Sequence, residues 1–175
     1  PNVMNFNDQN FAKIDKYNQD LLSELGIGED TLVLGQVTRV VERKNIEASI
    51  ELLKRVSEKR GDEKVKLVIT GREATGATST YKADLVKLIS KYDLEKQVMW
   101  IANRIQPERS INLLGQKVYS LSDFYAHLSK KGIMTYPSTY EGFGNAFVEA
   151  VLARVPIVVN NYAPVYMPEL GNLGF

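Results

Sequence analysis

A chain of 175 residues makes one domain with a sizeable core and only awkwardly two. Its 44% apolar and 25% charged residues are ordinary for a globular protein, and 22 Lys+Arg against 21 Asp+Glu leave a formal charge of +1. That balance excludes a general attraction to nucleic acid or an anionic membrane, and zero cysteines exclude a disulfide scaffold and thiolate metal sites.

Taken in chain order, Phe11, Ile14, Tyr17, Leu21, Leu22 and Leu25 recur at helical spacing, with Gly26 placed to stop the helix. A short apolar run at 31–37 predicts a first strand. A helix is expected from about Ile46, with Ile50, Leu53 and Val56 on one face and Asn45 as its N-cap. Residues 65–69 predict a second strand, and the Gly/Ala/Ser/Thr-rich stretch at 71–80 a mobile loop. Tyr81, Leu85, Leu88, Ile89 and Tyr92 mark another amphipathic helix, followed by a third strand at 98–101. Residues 103–119 read as an irregular polar connection. Ser120 and Asp123 have the spacing of a capping box. A fourth strand at 133–136, a helix at 144–153 and a fifth strand at 156–159 complete the pattern. Strands without polar alternation, separated by amphipathic helices, predict an α/β, doubly wound parallel sheet covered on both faces. Ligands of such sheets bind at the carboxyl ends of the strands.

The informative block runs PSTYEGFGNAFVEA from Pro137 to Ala150, where the fourth strand gives way to a helix. Gly142 and Gly144 leave room for a ligand against the backbone, and the helix N-terminus offers N–H groups to a phosphate or sugar oxygens. Glu141 on the loop and Glu149 in the helix can grip two hydroxyl-bearing parts of one ligand. A second cluster, Thr38, Arg39, Arg43 and Lys44, follows the first strand. Arg39 offers a planar fork and Lys44 a point charge, a suitable pair for a diphosphate. With no obvious acidic metal cluster, and His127 the only histidine, these cations are expected to take the place of a metal ion, and no cofactor is expected.

On these residues the chain resembles the C-terminal domain of family 4 retaining glycosyltransferases, which have the GT-B fold of two facing Rossmann-like domains. The matches are the Glu-x7-Glu spacing of Glu141 and Glu149, Pro137-Ser138 before Glu141-Gly142-Phe143-Gly144, the spacing of Arg39 and Lys44, and the strand Pro156-Ile157-Val158-Val159. At subfamily level, the run from Tyr136 to Phe147 is similar to enzymes that make mannosylglucosylglycerate-type solutes. The resemblance implies that Arg39 and Lys44 bind a donor diphosphate and that Glu149 binds the nucleotide ribose. It sets Glu141 beside the donor sugar, and the backbone from Gly142 through Phe143 and Gly144 to Asn145, with Thr38 opposite, against sugar and phosphate. Catalytic roles then fall to Glu141, Arg39 and Lys44. The implied reaction is transfer of a sugar from a nucleotide-diphosphate sugar to an acceptor hydroxyl with retention. Val155 and Thr38 stand where the family favours glycine, and Glu169 matches a ligand-contacting acid only loosely.

The resemblance further implies that residues 1–175 are a nucleotide-sugar-binding domain. Pro1 in place of Met and a tail that reads as mid-domain suggest a fragment lacking the N-terminal acceptor domain and a final return helix. Such a fragment is expected to be inactive alone and cytoplasmic; peripheral membrane association of the full protein stays open. Plainer readings compete. Arg43 reads as an exposed neighbour, His127 as a partly exposed helix residue, Trp100 as packing, and at least one of Tyr136, Tyr140 and Phe143 as core. Two other functions also fit such a fold: a sugar-nucleotide epimerase, against which the lack of an evident acid/base pair argues, and a non-catalytic ligand-binding module.

Overall fold

The computed structural model describes residues 11–73 and 80–161. The expected entry segment at 1–3, the centre of the small-residue loop at 74–79, and Glu169 lie outside the described residues. In chain order the elements begin with α1 (Leu21–Glu24), β1 (Leu32–Gln36), a 3-10 turn (Glu42–Lys44), α2 (Ile46–Arg60), β2 (Val65–Ile69), α3 (Tyr81–Lys91) and β3 (Val98–Trp100). They continue with β4 (Ile105–Gln106), β5 (Ser110–Ile111), β6 (Lys117–Ser120), α4 (Leu121–Lys131), β7 (Gly132–Tyr136), α5 (Asn145–Leu152) and β8 (Ile157–Val159).

The five expected strands form one parallel sheet in the order β3-β2-β1-β7-β8. After β3 the chain returns past β1 to β7, so β1 and β7 flank the switch point where an open α/β sheet holds its ligand. Alternate strand residues supply two cores. Leu34, Leu67 and Ile69 join Ile46, Ile50, Leu53, Leu85 and Ile89 from α2 and α3. Val33, Val68 and Met134 join Phe124, Tyr125, Leu128 and Phe147 from α4 and α5. All of these are almost fully buried, each side chain contributing about 1.5–3 kcal/mol, which is why these strands show no polar alternation.

The expected capping box opens α4: the Ser120 hydroxyl accepts from the Asp123 N–H at 3.2 Å, and the Asp123 carboxylate from the Ser120 N–H at 2.8 Å. Asp123 also accepts from Asn18 Nδ2 at 2.7 Å and forms an ion pair with Arg109 at 2.5 Å. Burial pushes its carboxyl up, but the Arg109 and backbone donors outweigh burial and hold it below the usual aspartate value. We expect Asp123→Asn to cost about 2 kcal/mol in denaturant unfolding at pH 7. A depressed folded pKa stabilises above the unfolded value and is lost as pH falls through the folded one. The deficit of the variant should therefore shrink in acid below the unfolded value of 3.8; a pH-independent deficit would argue against the ion-pair account.

Three expectations about the elements, and one about burial, are corrected. The first helix is one turn, Leu21–Glu24, rather than a run from Phe11 to Leu25. Asp15 Oδ1 accepts from the Tyr17 N–H at 2.8 Å, and Asn18 Oδ1 from the Asp15 N–H at 2.8 Å, so side chains take backbone groups that a helix would need. Gly26, at φ 71°, does end the turn. Second, Asn45 does not cap α2 through its side chain. It is a left-handed joint at φ 49° between the 3-10 turn and α2, and its Nδ2 donates to the Pro137 carbonyl at 3.3 Å.

Third, the stretch at 103–119 is not irregular. It builds a three-stranded sheet in the order β4-β6-β5, with β5 and β6 joined by a turn in which Asn112 Oδ1 accepts from the N–H groups of Leu114 and Gln116. This small sheet holds the N-terminal segment. The Tyr17 hydroxyl lies 2.8 Å from the Ser110 carbonyl, Lys117 pairs with Asp20 at 2.6 Å, and Arg109 pairs with Asp15 at 2.8 Å. His127 is buried rather than partly exposed, with Nε2 2.8 Å from the Asn18 carbonyl oxygen.

Candidate functional site

Two adjoining hollows open at the carboxyl ends of β1 and β7. One, of about 310 Å³, is lined by Thr38, Arg39, Arg43, Lys44, Glu141 and the turn from Phe143 into α5. The other, of about 390 Å³, runs from Thr38 and Arg39 past Gly71, Arg72, Ala102 and Gln106 to Glu149. Thr38, Arg39, Asn145 and Ala146 line both, so they form one cleft over the switch point. The structure thus gathers Thr38, Arg39, Lys44, Glu141, Phe143, Gly144, Asn145 and Glu149. Gly142 is exposed and lines neither hollow, and no atom of the described residues stands within 4 Å of where its Cβ would be.

The local chain explains the arrangement. Gly144 adopts φ 89°, a left-handed conformation that lets the chain turn sharply from loop into α5. The first turn of that helix, Asn145 and Ala146, faces the cleft. Gly71 lies against the other wall, where a Cβ would stand 1.6 Å from the Thr38 carbonyl oxygen. Arg39 is exposed, and its side chain makes no hydrogen bond or ion pair among the described residues. The Thr38 hydroxyl oxygen is buried with no protein partner there.

Lys44 and Glu141 do not stand apart. The two are buried and form a direct ion pair, so the ammonium expected to bind a diphosphate is held by Glu141. Arg43, expected to be an idle neighbour, donates from Nη1 to the second Glu141 oxygen at 3.0 Å and to the Tyr140 carbonyl at 3.1 Å. Burial pushes the Glu141 carboxyl up, but Lys44, the Ser138 hydroxyl and Arg43 outweigh burial and hold it below the usual range. Burial pulls the Lys44 ammonium down, against Glu141. The Lys44 Nζ also stands 5.6 Å from the Tyr136 ring centre.

Glu149 is tuned the other way. Burial raises its carboxyl above the usual range, countered by a hydrogen bond from the Tyr125 hydroxyl at 3.1 Å. That hydroxyl is itself pushed well above its ordinary value by burial and the nearby carboxylate. Tyr136 is the core member of the aromatic trio, at 3% exposure; Tyr140 and Phe143 are about half exposed. Trp100 is partly buried under Lys82.

Two residues of the site escaped the sequence reading. Arg43 pairs with a residue nearly a hundred positions away, which no local pattern encodes. Gln36 is 2% exposed and donates from Nε2 to the Lys44 carbonyl at 3.1 Å, fixing the backbone of the 3-10 turn. Its signal was present, since it is the polar residue in an otherwise apolar strand.

Comparison with known proteins bears on this geometry. The mannosylglucosylglycerate synthase of Petrotoga mobilis is 33% identical over 184 residues, covering 100% of this chain and 41% of the relative. That of Thermotoga maritima is 28% identical over 168 residues, covering 93% of this chain and 36% of the relative. The chain therefore spans about two fifths of the length of these curated relatives. Among solved structures, Anabaena HepE in complex with UDP superposes at TM-score 0.64 with 21% identity, over 87% of this chain and 36% of that one. The C-terminal domain of the group 1 glycosyl transferase LpcC from Francisella tularensis superposes at 0.59 with 17% identity, over 94% of this chain and 84% of that one. These show the fold, a Rossmann-like C-terminal-type domain of the GT-B class. The family described as Glycosyl transferases group 1 matches residues 18–172, from α1 through the whole cleft, and the chain belongs to that family.

Proposed function

We propose that this chain is the donor-binding domain of a retaining hexosyltransferase, and that the cleft over β1 and β7 holds a nucleotide-diphosphate sugar. The observation that carries the reading is the convergence of an unpaired Arg39, Lys44, the first turn of α5 and two environmentally distinct glutamates in one cleft. The diphosphate would lie against Arg39, Lys44 and the α5 N-terminus, where fixed positive charge stabilises the leaving group. The half-buried Glu149 would accept hydrogen bonds from the ribose diol, and Glu141 would face the sugar. The acceptor, brought by a partner domain, would attack from the leaving group's own face and pass its proton to the departing diphosphate. The two curated relatives are mannosylglucosylglycerate synthases, and HepE was solved with UDP and with UDP and glucose, which supports this class of donor.

The epimerase reading is less well served. It needs an acid/base pair at the sugar, yet Glu141 is tied by two cations and His127, on α4, bonds to the Asn18 carbonyl. The donor reading is tested by titrating the chain with UDP-, GDP- and ADP-linked sugars and following thermal stability. We expect a clear rise in Tm with one of them, as mass action requires of a ligand that binds only the folded state. No shift with any of the three would refute donor binding, and an inverted anomeric product from the full protein would refute retention.

A further inference from the structure

The division of the Glu141 carboxylate between two cations has a functional reading that rests on the donor assignment above. Lys44 holds one oxygen and Arg43 the other. The two cations are anchored differently. Apart from Glu141, Lys44 is pinned at its backbone, whose carbonyl accepts from Gln36 and whose N–H donates to the Val41 carbonyl, and the residue lines the same hollow as Arg39. Arg43 is locked to the loop that carries Glu141. Its Nη1 reaches the Tyr140 carbonyl at 3.1 Å, and its own carbonyl accepts from the Thr139 N–H at 3.0 Å and from the Thr139 hydroxyl at 3.3 Å.

We propose that Arg43 is a positioning residue for donor binding: it keeps Glu141 paired and in place when Lys44 turns from Glu141 to the donor diphosphate. Glu141 is 5% exposed, and a buried carboxylate that loses its only counter-ion is strongly disfavoured. With Arg43 present, the transfer of Lys44 leaves one cation behind. Without Arg43, the same transfer strands the carboxylate, which then takes a proton from solvent. The groups that face Glu141 are Arg43 and Lys44 on the 3-10 turn, Arg39 beyond β1 through its field on Lys44, Tyr136 on β7 beneath Lys44, and the Ser138 hydroxyl on its own loop. Among the described residues Arg43 and Lys44 are the cations paired with Glu141, and the Ser138 hydroxyl is an uncharged partner.

The test is calorimetric titration of the full chain with UDP, GDP and ADP, keeping whichever binds wild type most tightly, in two buffers of different ionisation enthalpy between pH 6 and 8. The Arg43 side chain is 38% exposed, so Arg43→Gln and Arg43→Lys are expected to fold, which a thermal melt checks. Arg43→Gln should bind about tenfold more weakly at pH 8. Relative to wild type, which cancels the titration of the nucleotide itself, its affinity should recover as pH falls toward 6, with net proton uptake on binding. Arg43→Lys should restore both the affinity and the proton-neutral behaviour. Identical profiles for wild type and Arg43→Gln, or a loss that is independent of pH and not rescued by lysine, would overturn the proposal while leaving the donor reading standing. Failure of wild type to bind any of the three nucleotides would overturn both.

Discussion

Replacing Glu149 with glutamine is expected to stabilise the ligand-free chain at neutral pH and, in the same molecule, to weaken donor binding about tenfold to a hundredfold. The first effect follows from the sign of its titration. Burial raises the Glu149 carboxyl in the fold, and a raised folded pKa contributes stability below the unfolded value and loses it as pH rises through the folded one. At neutral pH the ionised side chain therefore works against folding. Glutamine removes the charge, still accepts from the Tyr125 hydroxyl, and keeps the shape. The stabilisation should be absent near pH 4 and reach a plateau once wild-type Glu149 is fully ionised. The second effect follows from what a carboxylate does that an amide cannot. It accepts charge-assisted hydrogen bonds from both hydroxyls of a diol, and losing such a contact costs about 1.5–3 kcal/mol. Thermal melts across pH and a donor titration on one preparation test both halves. A variant that binds donor as well as wild type would remove Glu149 from the ribose-binding role, and one that is destabilised at pH 7 would contradict the burial account of its titration.

Gly71→Ala is expected to be the most damaging small substitution in the cleft wall, at more than about 3 kcal/mol of folding stability. Its Cβ would stand 1.6 Å from the Thr38 carbonyl oxygen, 2.4 Å from the Thr38 carbonyl carbon and 2.8 Å from the Arg39 Cα. All three are backbone atoms, so no rotamer change relieves the clash. The β1 end must move, and with it Thr38 and Arg39. Gly142→Ala is the matched control. Nothing among the described residues lies within 4 Å of its Cβ position and its φ is not positive, so the fold should tolerate alanine there within a few tenths of a kcal/mol. Any fall in donor affinity at Gly142 would then report close approach of the ligand to that backbone, whereas unchanged affinity would exclude Gly142 from the donor site. Equal unfolding midpoints for Gly71→Ala and wild type would contradict the packing described.

What was legible in the sequence were features written locally. All five strands of the main sheet read from short apolar runs, because strands largely buried on both faces carry few polar positions, and the edge strand β8 is apolar throughout although Val158 is half exposed. The capping box of Ser120 and Asp123 is a contact three residues apart, and the cleft turn from Glu141 to Asn145 is one contiguous block. The N-terminal helix failed because its apolar spacing is real but Asp15 and Asn18 spend their side chains on the backbone. The small sheet at 105–120 was missed although Ile111 and Val118 flank an Asn-to-Gly turn, since two-residue strands carry too little pattern to register. The Arg43–Glu141 contact and the burial of His127 against Asn18 depend on groups about a hundred positions apart, and they become visible only when the sheet is assembled.

That small sheet bears on the order in which the chain can be completed as it leaves the ribosome. The segment from Asp15 to Glu24 is fastened by Arg104, Arg109, Ser110, Lys117, Tyr119 and Asp123. Its own contribution is a single helical turn, far below the length that holds together alone. The segment is thus synthesised before the residues that fasten it and docks late, with β1, α2, β2 and α3 free to pair while it waits for partners some hundred residues downstream. A nascent chain stopped before α4 would carry Leu21 and Leu22, both now buried, without the share of their core that α4 supplies.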